Sequence, residues 1–170
     1  TFSGDKLLGA VQCGVIAGRQ DLIETIRKNP MKRALRVDKV TLAILNATLK
    51  LYAQPEQLVE HLPLLRTLTL TPQQLEVRAE AVMANLPARV QGTIITSEAQ
   101  IGSGALPDQN IESVAVSLTH DNLSAQKLAE ALRDAIVPVI GRLKDERVLL
   151  DMHGADPIDE LINVLTGLEL

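Results

Sequence analysis

Aromatic residues and cysteine are almost absent from this sequence of 170 residues. Phe2 and Tyr52 are the only two residues with phenyl or phenol rings and there is no tryptophan, so a stacking platform for single-stranded nucleic acid is excluded. Cys13 is the single cysteine, which excludes an intrachain disulfide and a cysteine zinc site. No apolar run approaches the roughly 18 residues of a membrane span, and no signal peptide or lipidation motif is present. The sequence therefore predicts a soluble, cytoplasmic protein without a membrane partner.

Aliphatic side chains dominate what remains. Hydrophobic residues make up 46% of the chain, which is enough for a buried core in one domain or two small lobes. The 17 basic and 21 acidic residues give a net charge of −4, so any contact with nucleic-acid phosphates must be local. The chain begins at Thr1, without Met, in a pattern typical of a strand that runs into a glycine turn. We therefore expect a fragment of a longer protein.

The first 70 residues combine a glycine-rich start with helical patterns. Residues 15–17 predict a short buried strand, and Asp21 is expected to cap the helix that follows. Residues 27–39 form a basic island with a single acid. Residues 40–53 carry apolar side chains on two faces of a helix, and this pattern predicts that the helix is mostly buried.

The remainder of the chain predicts a small α+β unit. Residues 71–74 form a capping box with proline at the first helical position, and we place a lobe boundary near residues 66–71. The pattern beyond this boundary is helix, two strands, helix, two strands, helix, which is typical of helices packed on a mostly antiparallel sheet. The predicted strands are 90–96, 113–118, 137–142 and 147–151, and the last two helices are expected to begin at the caps Ser124 and Asp156.

Lys6 is the first candidate for a reactive residue. It lies on a turn flanked by glycines within an apolar stretch, so we expect its amine to be partly desolvated. Desolvation lowers the pKa of an amine and favours the free nucleophile that forms a Schiff base, for example with pyridoxal phosphate. A single lysine is weak support, and a surface lysine after a strand remains the alternative.

Arg33 and Arg36 are a second candidate pair. Their i, i+3 spacing predicts that both guanidinium groups lie on one helix face, where two such forks suit a phosphate or a similar oxyanion. A helix that starts near Asp38 would add positive potential at the same place. The alternative is a solvated basic face that pairs with acids elsewhere.

Two further patterns are weaker. The loop 102–104, Gly-Ser-Gly, offers backbone N–H groups to an anion but lacks the full dinucleotide fingerprint, so a plain loop is favoured. Asp151, His153 and Asp156 have donor atoms for a metal, but they straddle a strand end and a helix cap. The sequence therefore predicts no metal site, and Cys13 is expected to be a small buried hydrophobe.

Several separated motifs together resemble one enzyme family. Residues 2–9, Phe-Ser-Gly-Asp-Lys-Leu-Leu-Gly, are similar to the cofactor-lysine motif of bacterial selenocysteine synthase, the L-seryl-tRNA(Sec) selenium transferase family. The similarity continues in the same order at residues 32–39, 100–107, 138–142 and 149–151. It covers nearly the whole chain, and the set of motifs is far more specific than any one of them.

The resemblance implies the α/β class, as the C-terminal portion of a fold-type I pyridoxal phosphate transferase. Residues 1–70 would be the C-terminal tail of the large PLP-binding lobe, and residues 71–170 the small C-terminal α+β domain of order αββαββα. The implied activity converts seryl-tRNA(Sec) to selenocysteyl-tRNA(Sec) with selenophosphate as the selenium donor, through an aminoacrylyl intermediate on the cofactor. The family assembles as a homo-oligomer, a ring of dimers.

The resemblance also implies roles for individual residues. Lys6 would hold pyridoxal 5′-phosphate, Asp5 would be an active-site acid, and Ser3 would contact the cofactor. Arg33 and Arg36 would bind the selenium donor.

The sequence departs from the family at residues 10–11, Ala-Val in place of glycine and proline, and at His153, where arginine is common. The family's tRNA-binding domain and most cofactor-phosphate contacts would precede Thr1, so we predict that this chain alone is inactive. Two alternatives stay open at this point. One is a paralogous PLP-dependent lyase of the same fold, and the other is a non-catalytic assembly module.

Overall fold

The computed structural model describes residues 1–101 and 109–168 and shows a mixed α/β chain with two antiparallel sheets. Backbone contacts divide the described residues into an N-terminal unit, residues 1–66, and a C-terminal unit that starts at Thr67. No helix within these described ranges is long and apolar enough to cross a membrane. The assignment of residues 1–70 and 71–170 to two lobes of a larger enzyme stays a prediction.

The N-terminal unit is a two-stranded ladder followed by short helices. Strand β1 pairs with β2 in the register Phe2 to Val15 and Ser3 to Gly14. The carboxylate of Asp38 accepts hydrogen bonds from the backbone N–H groups of the next helix and caps it, and the helix starts near Asp38 as expected. The elements are β1 (Phe2–Ser3), β2 (Gly14–Val15), α1 (Gln20–Lys28), α2 (Lys32–Leu35), α3 (Lys39–Tyr52), a 3-10 turn (Pro55–Gln57), α4 (Leu58–His61) and α5 (Pro63–Leu68), which crosses the unit boundary.

Three expectations for this unit are wrong. The predicted buried strand at 15–17 is two residues long at β2, and Ile16 beyond it is exposed. Asp21 lies inside α1 and binds the guanidinium of Arg19 at 2.6 Å, so its carboxylate is not available as a cap. Helix α3 is mostly exposed in this chain, and Thr48 is its one buried residue. The apolar pattern of α3 is real, but no described element of the unit covers it.

The N-terminal unit has very little core. Cys13 and Leu62 are the only buried hydrophobic residues between residues 1 and 66. A unit that leaves this much aliphatic surface in water gains little free energy from folding alone and marks an interaction surface. The exposed large side chains are Phe2, Ile16, Leu22, Ile26, Met31, Leu35, Val40, Leu42, Ile44, Leu49 and Val59.

In its described residues, the C-terminal unit is a four-stranded antiparallel sheet with three helices. The strand order is β3-β4-β6-β5, and every neighbouring pair is antiparallel. The chain follows the predicted order of helix, two strands, helix, two strands, helix. The elements are α6 (Pro72–Met83), β3 (Val90–Gln100), β4 (Asn110–His120), α7 (Ala125–Arg133), β5 (Arg142–Lys144), β6 (Arg147–Asp151) and α8 (Ile158–Thr166).

The core of this unit is aliphatic and follows the alternation of the central strands. Alternate residues of β4 and β6 point to the same face, and that face is covered by helices α6, α7 and α8. Thr71 and Gln74 form the predicted capping box of α6, and Ser124 caps α7. The fully buried side chains are Leu75, Val82, Val116, Leu118, Leu128, Leu132, Val148, Met152 and Leu165.

Several boundaries in this unit differ from the sequence prediction. The strands predicted at 90–96 and 113–118 are longer in the structure, as β3 (Val90–Gln100) and β4 (Asn110–His120). The strand expected at 137–142 starts only at Arg142, and Ile140 before it is exposed. Asp156 does not cap α8, which begins after Pro157 without a side-chain cap, because the Asp156 carboxylate faces the guanidinium of Arg78 at 3.5 Å. The Gly-Ser-Gly loop at 102–104 lies outside the described residues.

Candidate functional site

Lys6 lies in the loop that joins β1 to β2, here called the Lys6 loop (residues 4–13). The N–H of Gly4 donates to the carbonyl of Cys13 at 2.8 Å, and the N–H of Ala10 donates to the carbonyl of Gly4 at 2.7 Å. The N–H of Gly9 donates to the carbonyl of Lys6 at 2.9 Å. These bonds close the loop on itself, so the backbone at Lys6 is fixed by its own turn.

Gly4 is required by a close approach inside this loop. A Cβ at Gly4 would lie 2.4 Å from the carbonyl oxygen of Val11 and 2.7 Å from the Sγ of Cys13. Both distances are far below van der Waals contact, so only glycine fits two residues before Lys6. The buried thiol of Cys13 therefore has a packing role, as the sequence predicted.

Tyr52, at the end of α3, holds the loop from the other side. Its hydroxyl lies 3.0 Å from the carbonyl of Leu8 and 3.3 Å from that of Leu7, and it donates to this carbonyl pair. Burial raises the pKa of the Tyr52 hydroxyl, which therefore keeps its proton for this bond. The sequence assigned Tyr52 only to an apolar helix face and carries no local signal for this contact.

The side chains beside Lys6 are polar and open to solvent. The hydroxyl of Ser3 donates to the carboxylate of Asp5, and both Asp5 and Lys6 are exposed. The expectation that Lys6 is partly desolvated is wrong for this chain, since no described residue of the unit packs over the amine. The structure therefore brings Ser3, Asp5 and Lys6 together on one ordered loop and leaves the amine accessible.

The structure places Arg33 and Arg36 differently from the sequence expectation. Helix α2 is a single turn that ends at Leu35, and Arg36 has extended backbone with φ −71° and ψ 138°. The two guanidinium groups therefore do not share a helix face, although both are exposed. Within residues 1–66, no hydrogen bond or ion pair joins either arginine to the Lys6 loop.

The start of α3 lies next to Arg36, as the sequence predicted. Asp38 Oδ1 accepts from the N–H groups of Val40 at 2.7 Å and Thr41 at 2.9 Å, and Oδ2 accepts from the Thr41 hydroxyl at 3.0 Å. The hydrogen bonds from Thr41 are the main cause that lowers the pKa of Asp38. The only acid of the basic island is thus engaged by α3 and does not pair with the arginines.

The C-terminal unit holds a polar cluster that the sequence did not predict, here called the Asp151 cluster (Ser97, Ser113, Arg142, Asp151 and His153). Asp151 Oδ1 accepts from the hydroxyl of Ser113 at 2.6 Å and from the backbone N–H of His153 at 3.2 Å. Its Oδ2 accepts from the hydroxyl of Ser97 at 3.1 Å and from Arg142 at 3.3 Å. Four donors thus satisfy one carboxylate at the end of β6.

This network fixes the tautomer of His153. Ser113 gives its single proton to Asp151, so its Oγ accepts from Nδ1–H of His153 at 2.8 Å. The Nε2 atom is then bare, buried and without a hydrogen-bond partner. Ser113 Oγ and the Asp151 carboxylate both lie at Nδ1 of His153, which carries the proton. Nδ1 therefore cannot accept a proton from Ser113, and the ring does not activate this serine as a nucleophile.

The same arrangement separates the three residues that had been considered as metal ligands. Asp151 and His153 belong to the cluster, whereas Asp156 faces Arg78. Across residues 1–101 and 109–168, no three histidine, cysteine or acidic side chains are grouped to hold a metal ion.

His153 makes the stability of the C-terminal unit depend on pH. Burial lowers the pKa of His153, with Asp151 opposing and Arg78 assisting the shift. The folded state then binds fewer protons than the unfolded state, in which a histidine titrates near pH 6.5. The stabilisation is therefore complete above about pH 6.5 and is lost as the pH falls through and below this value.

We expect the urea concentration at the unfolding midpoint of this unit to decrease when the pH is lowered from 7.5 to 5.5. In His153→Gln this decrease should be smaller. Glutamine keeps an N–H donor for Ser113 but does not titrate. His61→Gln, at an exposed position, is the control and should leave the pH dependence unchanged. An identical pH dependence in wild type and His153→Gln would contradict this assignment.

Comparison with known proteins places the chain in one family. The family model described as L-seryl-tRNA selenium transferase matches residues 1–156. An L-seryl-tRNA(Sec) selenium transferase of Methylocella silvestris is 46% identical over 159 residues, which is 90% of this chain and 34% of the relative. The Hyphomonas neptunium protein of the same name is 44% identical over 154 residues, with 89% of this chain and 33% of the relative covered.

The Haemophilus influenzae protein of that name is 42% identical over 173 aligned positions, which cover 99% of this chain and 38% of the relative. The chain thus spans little more than a third of the length of the curated relatives it matches. The family match extends over both units, from the Lys6 loop to the Asp151 cluster. By sequence, this chain is a member of the L-seryl-tRNA selenium transferase family.

Proposed function

We propose that this chain supplies the cofactor lysine and the selenium-donor arginines of a fold-type I pyridoxal phosphate enzyme that converts seryl-tRNA(Sec) to selenocysteyl-tRNA(Sec). The observation that carries the proposal is the Lys6 loop, an ordered turn with an accessible amine in a chain that matches the family over residues 1–156. Seryl-tRNA(Sec), selenophosphate and further copies of the protein are the proposed partners. A cytoplasmic location belongs to the same proposal.

The residues of the Lys6 loop fit pyridoxal phosphate. The amine is exposed, the backbone is held by Tyr52 and Gly4, and the hydroxyl of Ser3 and the carboxylate of Asp5 are bonded to each other beside it. Lys6 would hold the aldehyde carbon covalently through Nζ. When bound, the cofactor supplies an electron sink for negative charge at Cα of the seryl group.

The loop residues would then carry out the proton transfers. The free amine of Lys6 would accept the proton from Cα of the seryl group and return it to the departing β-hydroxyl. The Asp5 carboxylate, oriented by its bond from Ser3, would line the site as an active-site acid beside that hydroxyl. Loss of the Cα proton and of the hydroxyl amounts to loss of water, which leaves Cβ open to addition of selenium.

Arg33 and Arg36 would bind the oxyanion of the selenium donor. Both are exposed, and the one acid of their basic island is saturated by donors of α3. Neither arginine is paired with Asp38, and the six basic residues of the island outnumber its one acid. Guanidinium groups are favoured ligands of phosphate-like oxyanions.

The proposal is tested in a fusion protein. The segment of the Haemophilus influenzae relative that precedes the matched region is joined to Thr1, and the product is supplied with pyridoxal phosphate, seryl-tRNA(Sec) and selenophosphate. We expect selenocysteyl-tRNA(Sec) from the fusion protein and none from the 170-residue chain alone. Turnover of a free small amino acid without any need for selenophosphate would instead favour a paralogous lyase. Turnover of seryl-tRNA by the isolated chain would overturn the predicted dependence on the missing segment.

The arginine pair gives a more specific prediction. In the fusion protein, Arg33→Gln and Arg36→Gln should each raise the KM for selenophosphate by about tenfold or more, because each removes a charged hydrogen bond of roughly 1.5–3 kcal/mol. The KM for seryl-tRNA(Sec) should change by less than about twofold. Arg27→Gln, at an exposed position of the same basic island, is the matched control and should leave both constants unchanged. If Arg27→Gln and Arg36→Gln raised the KM for selenophosphate equally, the effect would come from the overall positive charge of the island, and the specific role of Arg36 would be contradicted.

A further inference from the structure

Arg142 lies at the edge of the C-terminal sheet, beside a groove of about 1160 Å³. Its Nη2 donates to Ser97 Oγ at 2.8 Å and to Asp151 Oδ2 at 3.3 Å. The side chain is nevertheless 56% exposed, and within the described residues Nε and Nη1 have no hydrogen-bond partner. A guanidinium that is held at one nitrogen and free at the others presents N–H donors to solution in a defined direction.

The position of Arg142 is set by the backbone as well as by the Asp151 cluster. A Cβ at Gly141 would lie 2.5 Å from Cγ1 of Val148 and 3.0 Å from Cδ2 of Leu150. The chain before β5 therefore lies against β6 as closely as only glycine permits. Ser113 fixes Asp151, which in turn holds the Arg142 side chain. Arg142 therefore loses little conformational entropy when it binds a ligand.

Lys144 places a second positive charge on the same face. Arg142 and Lys144 are two residues apart on β5, so their side chains point to the same side, at roughly 6.7 Å spacing along the strand. Both line the groove, and Lys144 makes no ion pair within the described residues. An anion that bridges both side chains would meet the guanidinium fork and an ammonium together.

Two glutamates that line the groove are turned away from Arg142. Glu98 and Glu112 are paired across β3 and β4, one position beyond Ser97 and Ser113, and strand alternation turns them to the other side of the sheet. Glu98 also accepts a hydrogen bond from Asn110 at 2.7 Å. Among the described residues that line the groove, only Arg142 and Lys144 are cationic, so the site suits one phosphate group rather than a run of them.

We propose that Arg142, oriented by Asp151 and Ser97 and assisted by Lys144, binds a single phosphate group on the C-terminal unit. Its residues all belong to the C-terminal unit, whereas Arg33 and Arg36 belong to the N-terminal unit. The phosphate group has two chemical sources, a free inorganic phosphate-like oxyanion or one phosphodiester of an RNA chain. Both present the same tetrahedral oxygens to the guanidinium.

The test is a titration of the isotope-labelled 170-residue chain with inorganic phosphate and, separately, with a short RNA hairpin, followed by NMR. We expect the Arg142 Nε–H signal and the amides of residues 141–144 to shift. Arg142→Gln should weaken binding by at least about tenfold, because it removes the charged fork. Arg133→Gln changes an exposed arginine in the last turn of α7 and should leave binding unchanged.

The two ligands distinguish the source of the phosphate. If the hairpin binds more tightly than inorganic phosphate and this binding depends on Arg142, the ligand of the site is an RNA phosphodiester. If inorganic phosphate binds as tightly as the hairpin or more tightly, the ligand is a free oxyanion. Arg142→Lys keeps the charge and should bind the phosphate more weakly than wild type but measurably. Measurable binding by this variant shows that a substitution at position 142 does not unfold the unit. The proposal is overturned if neither ligand shifts residues 141–144, or if Arg142→Gln binds as well as Arg133→Gln. No cofactor is present, so the result is independent of the role of Lys6.

Discussion

Borohydride reduction of the fusion protein loaded with pyridoxal phosphate is expected to leave a pyridoxyl group on Lys6 and on no other lysine of this chain. Reduction converts a Schiff base into a stable secondary amine, which mass spectrometry locates on a peptide. Lys6→Arg keeps the positive charge but has no amine that forms a Schiff base. We expect the variant to lose the adduct and to form selenocysteyl-tRNA(Sec) at least about 1000-fold more slowly.

The control for this prediction is Lys28→Arg, at an exposed lysine at the end of α1. It should keep both the adduct and the activity, since it lies outside the Lys6 loop. An unchanged far-ultraviolet circular dichroism spectrum of Lys6→Arg shows that the fold is retained. Trapping of the cofactor on a different lysine of wild type, or undiminished trapping in Lys6→Arg, would refute the role of Lys6.

The features that the sequence predicted well are those fixed by neighbouring residues. Thr71 and Ser124 both cap helices as expected, because an N-cap needs only its own side chain and the N–H groups two or three residues later. The order of elements in the C-terminal unit follows for the same reason from the periodicity of apolar residues.

The features that the sequence missed depend on partners that are distant along the chain. Tyr52 reaches carbonyls 44 and 45 positions away, and Ser97 meets Asp151 across 54 positions. Neither pairing leaves a local pattern. The same limit applies to Asp156, which was predicted to cap α8 but faces Arg78 from another helix.

The placement of Arg36 failed for a different reason. The i, i+3 argument assumes that a helix continues through both residues, and α2 ends one residue too early. Asp38, three residues after the end of α2, is the N-cap of α3, and its extended conformation requires non-helical backbone between the two helices. The residues of the pair were identified from their chemistry, but their relative orientation depends on a helix boundary, which sequence patterns define poorly.

Hydrogen exchange should divide the isolated 170-residue chain into two classes of amide. The C-terminal unit has a continuous aliphatic core, so amides of β4 and β6 should exchange only through cooperative unfolding. Between residues 1 and 66 the only buried hydrophobic residues are Cys13 and Leu62, so the amides of this unit open locally at small cost in free energy. We expect the protection factors of α3 to be at least about 100-fold lower than those of β4. Equal protection of α3 and β4 in the isolated chain would contradict this division.

In the fusion protein, the preceding segment of the relative is expected to cover α3 and to raise its protection toward that of β4. Leu42→Gln tests the contact, because Leu42 is 52% exposed in this chain and lies on the unpaired face of α3. In the isolated 170-residue chain the substitution should leave the unfolding free energy of the C-terminal unit unchanged. In the fusion protein it should lower the unfolding free energy by about 2 kcal/mol, the value of one buried leucine. Lys50→Gln, an exposed polar change on the same helix, should have no effect in either protein. A Leu42→Gln fusion protein as stable as wild type would show that this face of α3 stays in solvent, and the N-terminal unit would then have to be stabilised through another of its exposed apolar faces.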